Sequence, residues 1–248
     1  MERYQIILSY DGTDFHGFQR QGSTRTVQLE VENALRRMGW QGKSILAAGR
    51  TDTGVHADGQ VIAFDFEWAH PQEKIGRALN AFLPRDVGVC EVRKASSDFH
   101  PRFDAIWRTY TYHIYFQPFR NPLQDRFAWR IWPKFDFEPL ERTAEMFVGT
   151  YDFSSFGKAM RQGGNTERTI IRSEWSENDG QMHYQITANA FLYHMVRRIV
   201  HAQIQVALGK LTAKQLYLGL KEGAQMPSGM APPNGLVLQE VSFLDESG

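Results

Sequence analysis

Twice along its 248 residues the chain runs through one order of patterns: strand, helix, strand, strand, helix, strand. In the first pass, Tyr4 to Tyr10 reads as a strand. Val27, Val31, Ala34, Leu35 and Met38 then fall on one helical face, with Thr26 placed to cap it. Two apolar runs follow, Ser44 to Ala48 and Gln60 to Phe66, separated by a tight loop. Ile75, Leu79 and Phe82 mark a short helix that ends before Pro84, and Val87 to Val92 closes the unit. In the second pass, Thr109 to Phe116 alternates as a strand, with Tyr110, Tyr112 and Ile114 on one face. Leu140, Ala144, Phe147 and Val148 predict a helix. Ile170 to Trp175 and His183 to Ala188 predict a hairpin around Asn178-Asp179-Gly180. Leu192, Met195, Val196, Ile199, Ala202 and Val206 trace a long helical stripe stopped by Gly209. Thr212-x-x-Gln215 carries a capping-box signal for one more helix, and Leu236 to Leu244 supplies the last strand.

That order predicts an α+β chain of two tandem ferredoxin-like (βαββαβ) units with mainly antiparallel sheets. The split falls near residues 104–108, giving units 1–105 and 106–248. The duplication is of pattern only, since the halves share no sequence repeat. Pro118 to Pro133 and Gly157 to Thr166 read as mobile connections, candidate clamps if they border a nucleic acid.

The loop between the first unit's middle strands is chemically distinctive. Gly49-Arg50-Thr51-Asp52-Thr53-Gly54-Val55-His56 sets an acid between a cation and glycines. Glycine permits sharp backbone geometry and lets a ligand approach the main chain. Loops held by a rigid sheet are where catalytic side chains concentrate. Taken bare, the segment is also consistent with a turn carrying an ion pair.

Composition removes several classes of function. Charged residues are 23% and hydrophobic residues 42%, ordinary for a soluble protein. No apolar run approaches the roughly 20 residues that span a bilayer, and Met1 to Gln5 leads into a strand with no signal-peptide layout. The single cysteine, Cys90, has no intrachain partner, fits a reducing cytoplasm and reads as a buried structural thiol. No His or Cys spacing matches a zinc site, and no glycine-rich phosphate loop is present, so cofactor-free and metal-free chemistry is expected. The formal net charge of zero argues against a strongly basic nucleic-acid binder. A basic cleft balanced by an acidic exterior gives the same sum. Arg20, Arg25, Arg50, Arg102, Arg108, Lys158, Arg161, Arg168, Arg172, Arg197 and Arg198 do cluster near the distinctive segments.

Those segments together resemble the tRNA pseudouridine synthase A family. Besides Gly-Arg-Thr-Asp-x-Gly-Val-His they are Tyr10-Asp11-Gly12-Thr13 with Gly17-Phe18-Gln19, Leu79-Asn80-Ala81-Phe82-Leu83-Pro84, Asp98-Phe99-His100-x-Arg102-Phe103 and Arg108-Thr109-Tyr110. Asp152-Phe153-Ser154-Ser155-Phe156, Asn189 to Arg197, and Ala231-Pro232-Pro233-x-Gly235-Leu236 complete the set. The order is the family's, and the resemblance spans nearly the whole chain. Departures are modest: Phe18 for a commoner tryptophan, His201 for a small residue, and Asn234 and Val237 near the end.

The resemblance implies an isomerase that turns uridine into pseudouridine in the anticodon arm of tRNA, at positions 38 to 40, as a cytoplasmic homodimer without a cofactor. It makes Asp52 the essential aspartate, Tyr110 the active-site tyrosine and Arg197 the basic residue of the third motif. The chemistry agrees. A carboxylate can act as nucleophile or stabilise positive charge at the sugar. An aromatic ring can stack on uracil while its hydroxyl handles a proton. Arg197, bordering an apolar stripe, needs a partner, and an ion pair with Asp52 in a cleft between the units is expected. Arg50, Arg102, Lys158 and Arg161 are assigned to RNA contact, because a guanidinium does not give up its proton at neutral pH and suits phosphate. His56 and His194 read as structural hydrogen-bonding groups. Two other readings stay open: a non-catalytic RNA-binding module, and a glycosidase pairing Asp52 with Asp11 or Asp14.

Overall fold

A computed structural model describes residues 1–244. It is a mixed α+β protein with mostly antiparallel sheets and two compact units, one of Met1–Ile106 with the last strand from Val237, the other of Trp107–Leu236.

In the first unit, β1 (Glu2–Tyr10), α1 (Val27–Arg37), β2 (Leu46–Ala47), β3 (His56–Phe66), α2 (Glu73–Phe82) and β4 (Val87–Ala95) follow the expected order. β1 lies between β4 and β3, antiparallel to both, and β2 pairs with β3 through Ala47↔Ile62. β1 alternates strictly, burying Tyr4, Ile6, Leu8 and Tyr10. The buried face of α1 holds Val27, Val31, Ala34 and Leu35, and the Thr26 side chain accepts from Leu29 N–H as its cap. Each such fully buried aliphatic side chain contributes about 1.5–3 kcal/mol. One buried residue of α1 is charged. Glu32 is wholly inaccessible and accepts from Arg20 at 2.6 Å, Gln28 at 2.9 Å and Ile45 N–H at 3.3 Å.

In the second unit, β5 (Ala105–Phe116) pairs antiparallel with β9 (Gln181–Ala188), β9 with β8 (Glu167–Asn178), and β8 with β7 (Gly149–Asp152). The β8–β9 turn has both central residues at positive φ, Asp179 at 50° and Gly180 at 74°, as a two-residue hairpin of this hand requires. α4 (Glu138–Glu145) packs on β8 and on α5 (Met195–Ala207), and the full capping box precedes α6 (Ala213–Lys221). Among the described residues no helix is long and apolar enough to cross a membrane.

Four expectations change. The stretch from Pro118 to Pro133 holds a short helix, α3 (Pro122–Asp125), and a strand, β6 (Trp129–Ile131), that runs parallel to β5. α4 stops at Glu145, because Gly149, at φ 127°, opens β7. The last strand, β10 (Leu236–Phe243), pairs parallel with β3 through Val237↔His56 and Leu238↔Ala57, so it does not group with residues 106–236. The last four residues of the expected second unit lie outside the described residues. Cys90 is exposed. It sits on β4, the edge strand of the first unit, where the pairing with β1 passes from Ile7↔Glu91 to Leu8↔Val89 and skips it, so Cys90 falls on a β-bulge.

Candidate active site

The Asp52 loop is bonded to the sheet at its start and closed by a turn at its end. Ala48 N–H donates to Val61 O at 2.9 Å, and Val55 N–H donates back to Asp52 O at 3.1 Å, with Gly54 at φ 77° completing the turn. Thr51 and Val55, which flank the turn, are buried, while Asp52 keeps partial exposure. The acid is thus presented from two anchored neighbours.

A second loop, residues 11–18, holds the first in place. Phe18 N–H donates to Thr51 O at 3.1 Å and Gly54 N–H to Phe15 O at 3.3 Å. Tyr10 Oη and Thr51 Oγ1 share a hydrogen bond at 2.8 Å. Burial pushes the Tyr10 phenol up to about 12, against its bonds to Thr51 and Gln60, so it stays protonated and structural. Gly12 N–H donates to His56 Nδ1 at 3.0 Å. Asp11 Oδ1 stands 3.2 Å from the same nitrogen, so two groups of this loop converge on His56. Space is tight: a Cβ on Gly12 would stand 2.0 Å from Val55 O, and one on Gly17, at φ 82°, 2.8 Å from Thr51 O. The segments Tyr10-Asp11-Gly12-Thr13 and Gly17-Phe18-Gln19 therefore buttress the acid loop. Nothing in their residue types alone gives them this role. Asp11 accepts from Thr13 N–H and Oγ1 and also meets His56 Nδ1 at 3.2 Å.

Arg50 and Arg102 come within electrostatic reach of each other. Burial first, and then the Arg102 charge, lower the pKa of the Arg50 guanidinium. Two like charges held together favour an anion between them, so the first unit sets Arg50, two residues before Asp52, in the field of Arg102.

In the second unit, Tyr110 lies on β5 opposite Ile186, half-buried at the end of the row that continues into fully buried Tyr112 and Ile114. Its ring meets Phe191 edge-on, centroids 5.1 Å apart at 89°. Arg197, on α5, is only 8% exposed. Its Nε donates to Ala231 O at 2.8 Å, and Ala231 N–H returns a bond to Arg197 O at 3.1 Å. Tyr112 Oη donates to Pro232 O at 2.8 Å, and its ring lies so close to Gly235 that a Cβ there would meet it at 2.7 Å. Burial raises the Tyr112 phenol well above its ordinary value, with Arg197 opposing. The Ala231–Gly235 segment is thus a clasp between α5 and β5.

α5 begins at His194, a non-glycine residue at φ 64° whose ring stacks on Tyr193 with centroids 3.6 Å apart. Such left-handed geometry is uncommon outside glycine. Tyr193 N–H donates to Lys158 O at 3.0 Å, which fixes the Lys158 end of the 157–166 segment to the approach of α5. Lys158 and Arg161 are both exposed, Arg161 on a turn closed by Gly164 N–H. Among the described residues no group of three or more His, Cys, Asp or Glu is arranged to hold a metal ion.

Comparison with known proteins matches a family model described as tRNA pseudouridine synthase, over residues 6–104 and 143–244. A tRNA pseudouridine synthase A of Neisseria gonorrhoeae (strain NCCP11945) is 39% identical over 246 residues, covering 98% of this chain and 92% of that protein. Its counterpart in Listeria innocua serovar 6a is 37% identical and covers 98% and 100%. That of Acetivibrio thermocellus is 34% identical, with 98% and 100% covered.

Proposed function

The chain belongs to the tRNA pseudouridine synthase family and isomerises uridine to pseudouridine in tRNA; from that premise we propose that Asp52 is its nucleophile and that Tyr110 and Arg197 complete the catalytic set. The reaction breaks the bond from N1 of uracil to C1′ of the ribose and joins C5 to C1′ instead. A proton leaves C5 and one is taken up at N1, so nothing is consumed. A nucleophilic carboxylate holds one fragment while the base turns. The observation that carries the assignment is the mounting of Asp52, partly exposed on a turn whose buried neighbours are bonded to two other segments. Positioning of that kind is what a covalent step needs.

Tyr110, packed edge-on against Phe191, has the ring and hydroxyl for stacking on uracil and handling its proton. Arg197 supplies a buried cation whose orientation is fixed through Ala231. Arg50 with Arg102, and Lys158 with Arg161, carry RNA phosphates in this reading. Anticodon-arm uridines at positions 38 to 40 are the proposed targets and a homodimer the proposed assembly. The β4–β1–β3–β2 order of the first unit supports a ferredoxin-like unit there, the first of the proposed tandem pair.

The test is Asp52→Asn, which preserves shape and removes the charge. Turnover on unmodified tRNA, with pseudouridine mapped at each position, is expected to fall about a thousandfold, or about 4 kcal/mol of transition-state stabilisation. Binding should persist. A folded Asp52→Asn enzyme with near-normal turnover removes Asp52 from the mechanism, and pseudouridine outside positions 38 to 40 corrects the target.

A further inference from the structure

α5 carries two consecutive arginines with different surroundings. Arg197 turns to Ala231. Arg198, about 100° further round the helix, lines a cavity of about 480 Å³ in the second unit. His201 and Gln205, three and seven positions on, share that face. The facing wall is Ser154, Ser155 and Phe156, from a family segment to which the isomerisation gives no task. Residues 223–229 close the remaining side. Gly229, at φ +146°, lies so near the imidazole that a Cβ would stand 2.1 Å from His201 Nε2.

The chemistry of the lining points one way. Arg198 Nε is buried and has no hydrogen-bond partner among the described residues. Leaving a buried donor of a charged group unsatisfied is costly, so that atom is a ready ligand site. The lining supplies serine hydroxyls and glutamine amides, and it contains no Asp or Glu although the chain has 28. A site with a guanidinium, several neutral donors and no carboxylate selects an anion. Phe156, Leu211 and Met226 add an apolar side, and the volume exceeds what a bare phosphate fills.

We propose that this cavity binds a phosphorylated nucleoside unit, its phosphate on Arg198 and its nucleoside against Phe156, Leu211 and Met226, and that the unit is a backbone nucleotide of the bound tRNA. The choice of RNA as the source rests on the function given above. The cavity is a positioning subsite, separate from the Asp52 loop. Ser228 and Gly229 at its edge lead within two residues to Ala231, so a phosphate seated on Arg198 lies next to the clasp that orients Arg197.

The full-length protein tests this with Arg198→Gln, Arg198→Lys and wild type, their folding checked by melting. tRNA affinity is measured by filter binding across salt concentrations, and turnover separately, so a failed pocket and a failed isomerase give different results. Arg198→Gln is expected to raise KM and Kd for tRNA about tenfold, the worth of one charge-assisted bond. It should keep kcat at saturating tRNA and flatten the salt slope by about one contact. Arg198→Lys, which keeps the charge, should recover most of the slope. Should Arg198→Gln fail to fold, Gln205→Trp fills the cavity from α5 and is expected to raise KM alike. A parallel titration uses uridine 5′-monophosphate. Its binding to wild type and loss in Arg198→Gln, with tRNA affinity unchanged, would assign the pocket to a free nucleotide and overturn the RNA source. Unchanged KM and slope with no nucleotide binding would overturn the site altogether.

Discussion

Replacing Gly12 with alanine tests whether the 11–18 loop holds Asp52, the proposed catalytic acid. The added Cβ would stand 2.0 Å from Val55 O, more than an ångström inside ordinary contact, and the obstacle is backbone. Val55 N–H is bonded to Asp52 O, so whatever moves Val55 moves the acid. Overpacking of this kind costs about 1–3 kcal/mol, which lowers the melting temperature by about 2–12 °C for a chain of this size. A shift of about 1 Å at a reacting group costs on the order of 100-fold in rate. Single-turnover pseudouridine formation is therefore expected to fall about a hundredfold, with tRNA binding nearly kept, because phosphate contacts dominate affinity. Gly22→Ala is the control. Gly22, at φ 49°, has nothing within 4 Å of its would-be Cβ, so alanine there adds only about 1–2 kcal/mol of backbone strain and leaves turnover intact. If Gly12→Ala turned over as fast as Gly22→Ala, the buttress would be refuted.

Further outcomes follow from other parts of the fold. Glu32→Gln should lower stability by about 1–3 kcal/mol in denaturant titration, because Arg20 and the Ile45 N–H lose a charged acceptor; an unshifted midpoint would show that the buried charge contributes nothing. The Arg3 guanidinium, bonded to Asp65, holds that carboxyl below its ordinary range. Its small contribution, across a partly exposed pair, is full above the ordinary carboxylate pKa of about 4 and fades as pH falls through the lowered value. The stability gap between wild type and Asp65→Asn should close on acidification, and a gap constant down to acid pH would contradict the pairing. Exposed Cys90 should react with a thiol reagent in the folded enzyme without loss of turnover; protection until denaturation would restore the buried reading.

Local patterns carried most of the first unit. Thr26 and the spacing Val27, Val31, Leu35 specify α1 by themselves, since a cap and an apolar face are short-range features. The Thr212–Gln215 box and the Asp179-Gly180 turn were legible for the same reason. β6 was not, because its partner β5 is reached through parallel pairing that leaves no alternating signature in three residues. Cys90 reads as buried from its apolar neighbours, whereas its exposure comes from a bulge in the β1–β4 pairing that only the assembled register reveals. In the site, the Gly-Arg-Thr-Asp loop stood out from its residues. Its support by Gly12 and Tyr10 did not, because contacts between segments some 40 positions apart depend on the assembled sheet. The Arg198 cavity was equally hidden: consecutive arginines look alike in sequence, and only helical rotation separates their surroundings.

The pairing of β10 with β3 has a consequence for how the enzyme comes off the ribosome. Val237 and Leu238 lie against His56 and Ala57, directly after the Asp52 loop, while β2 reaches β3 only at its far end, at Ile62 and Ala63. During synthesis the strand that follows the acid loop emerges early, and its parallel neighbour emerges only after the whole of residues 107–236. Until then that stretch of β3 has an open hydrogen-bonding edge, and closing it is a long-range, slow event. A half-translated chain, surrounded by the tRNAs of the ribosome that makes it, therefore holds Asp52 beside an unfinished sheet edge. A product of premature termination before Val237 keeps that edge of β3 open at His56 and Ala57.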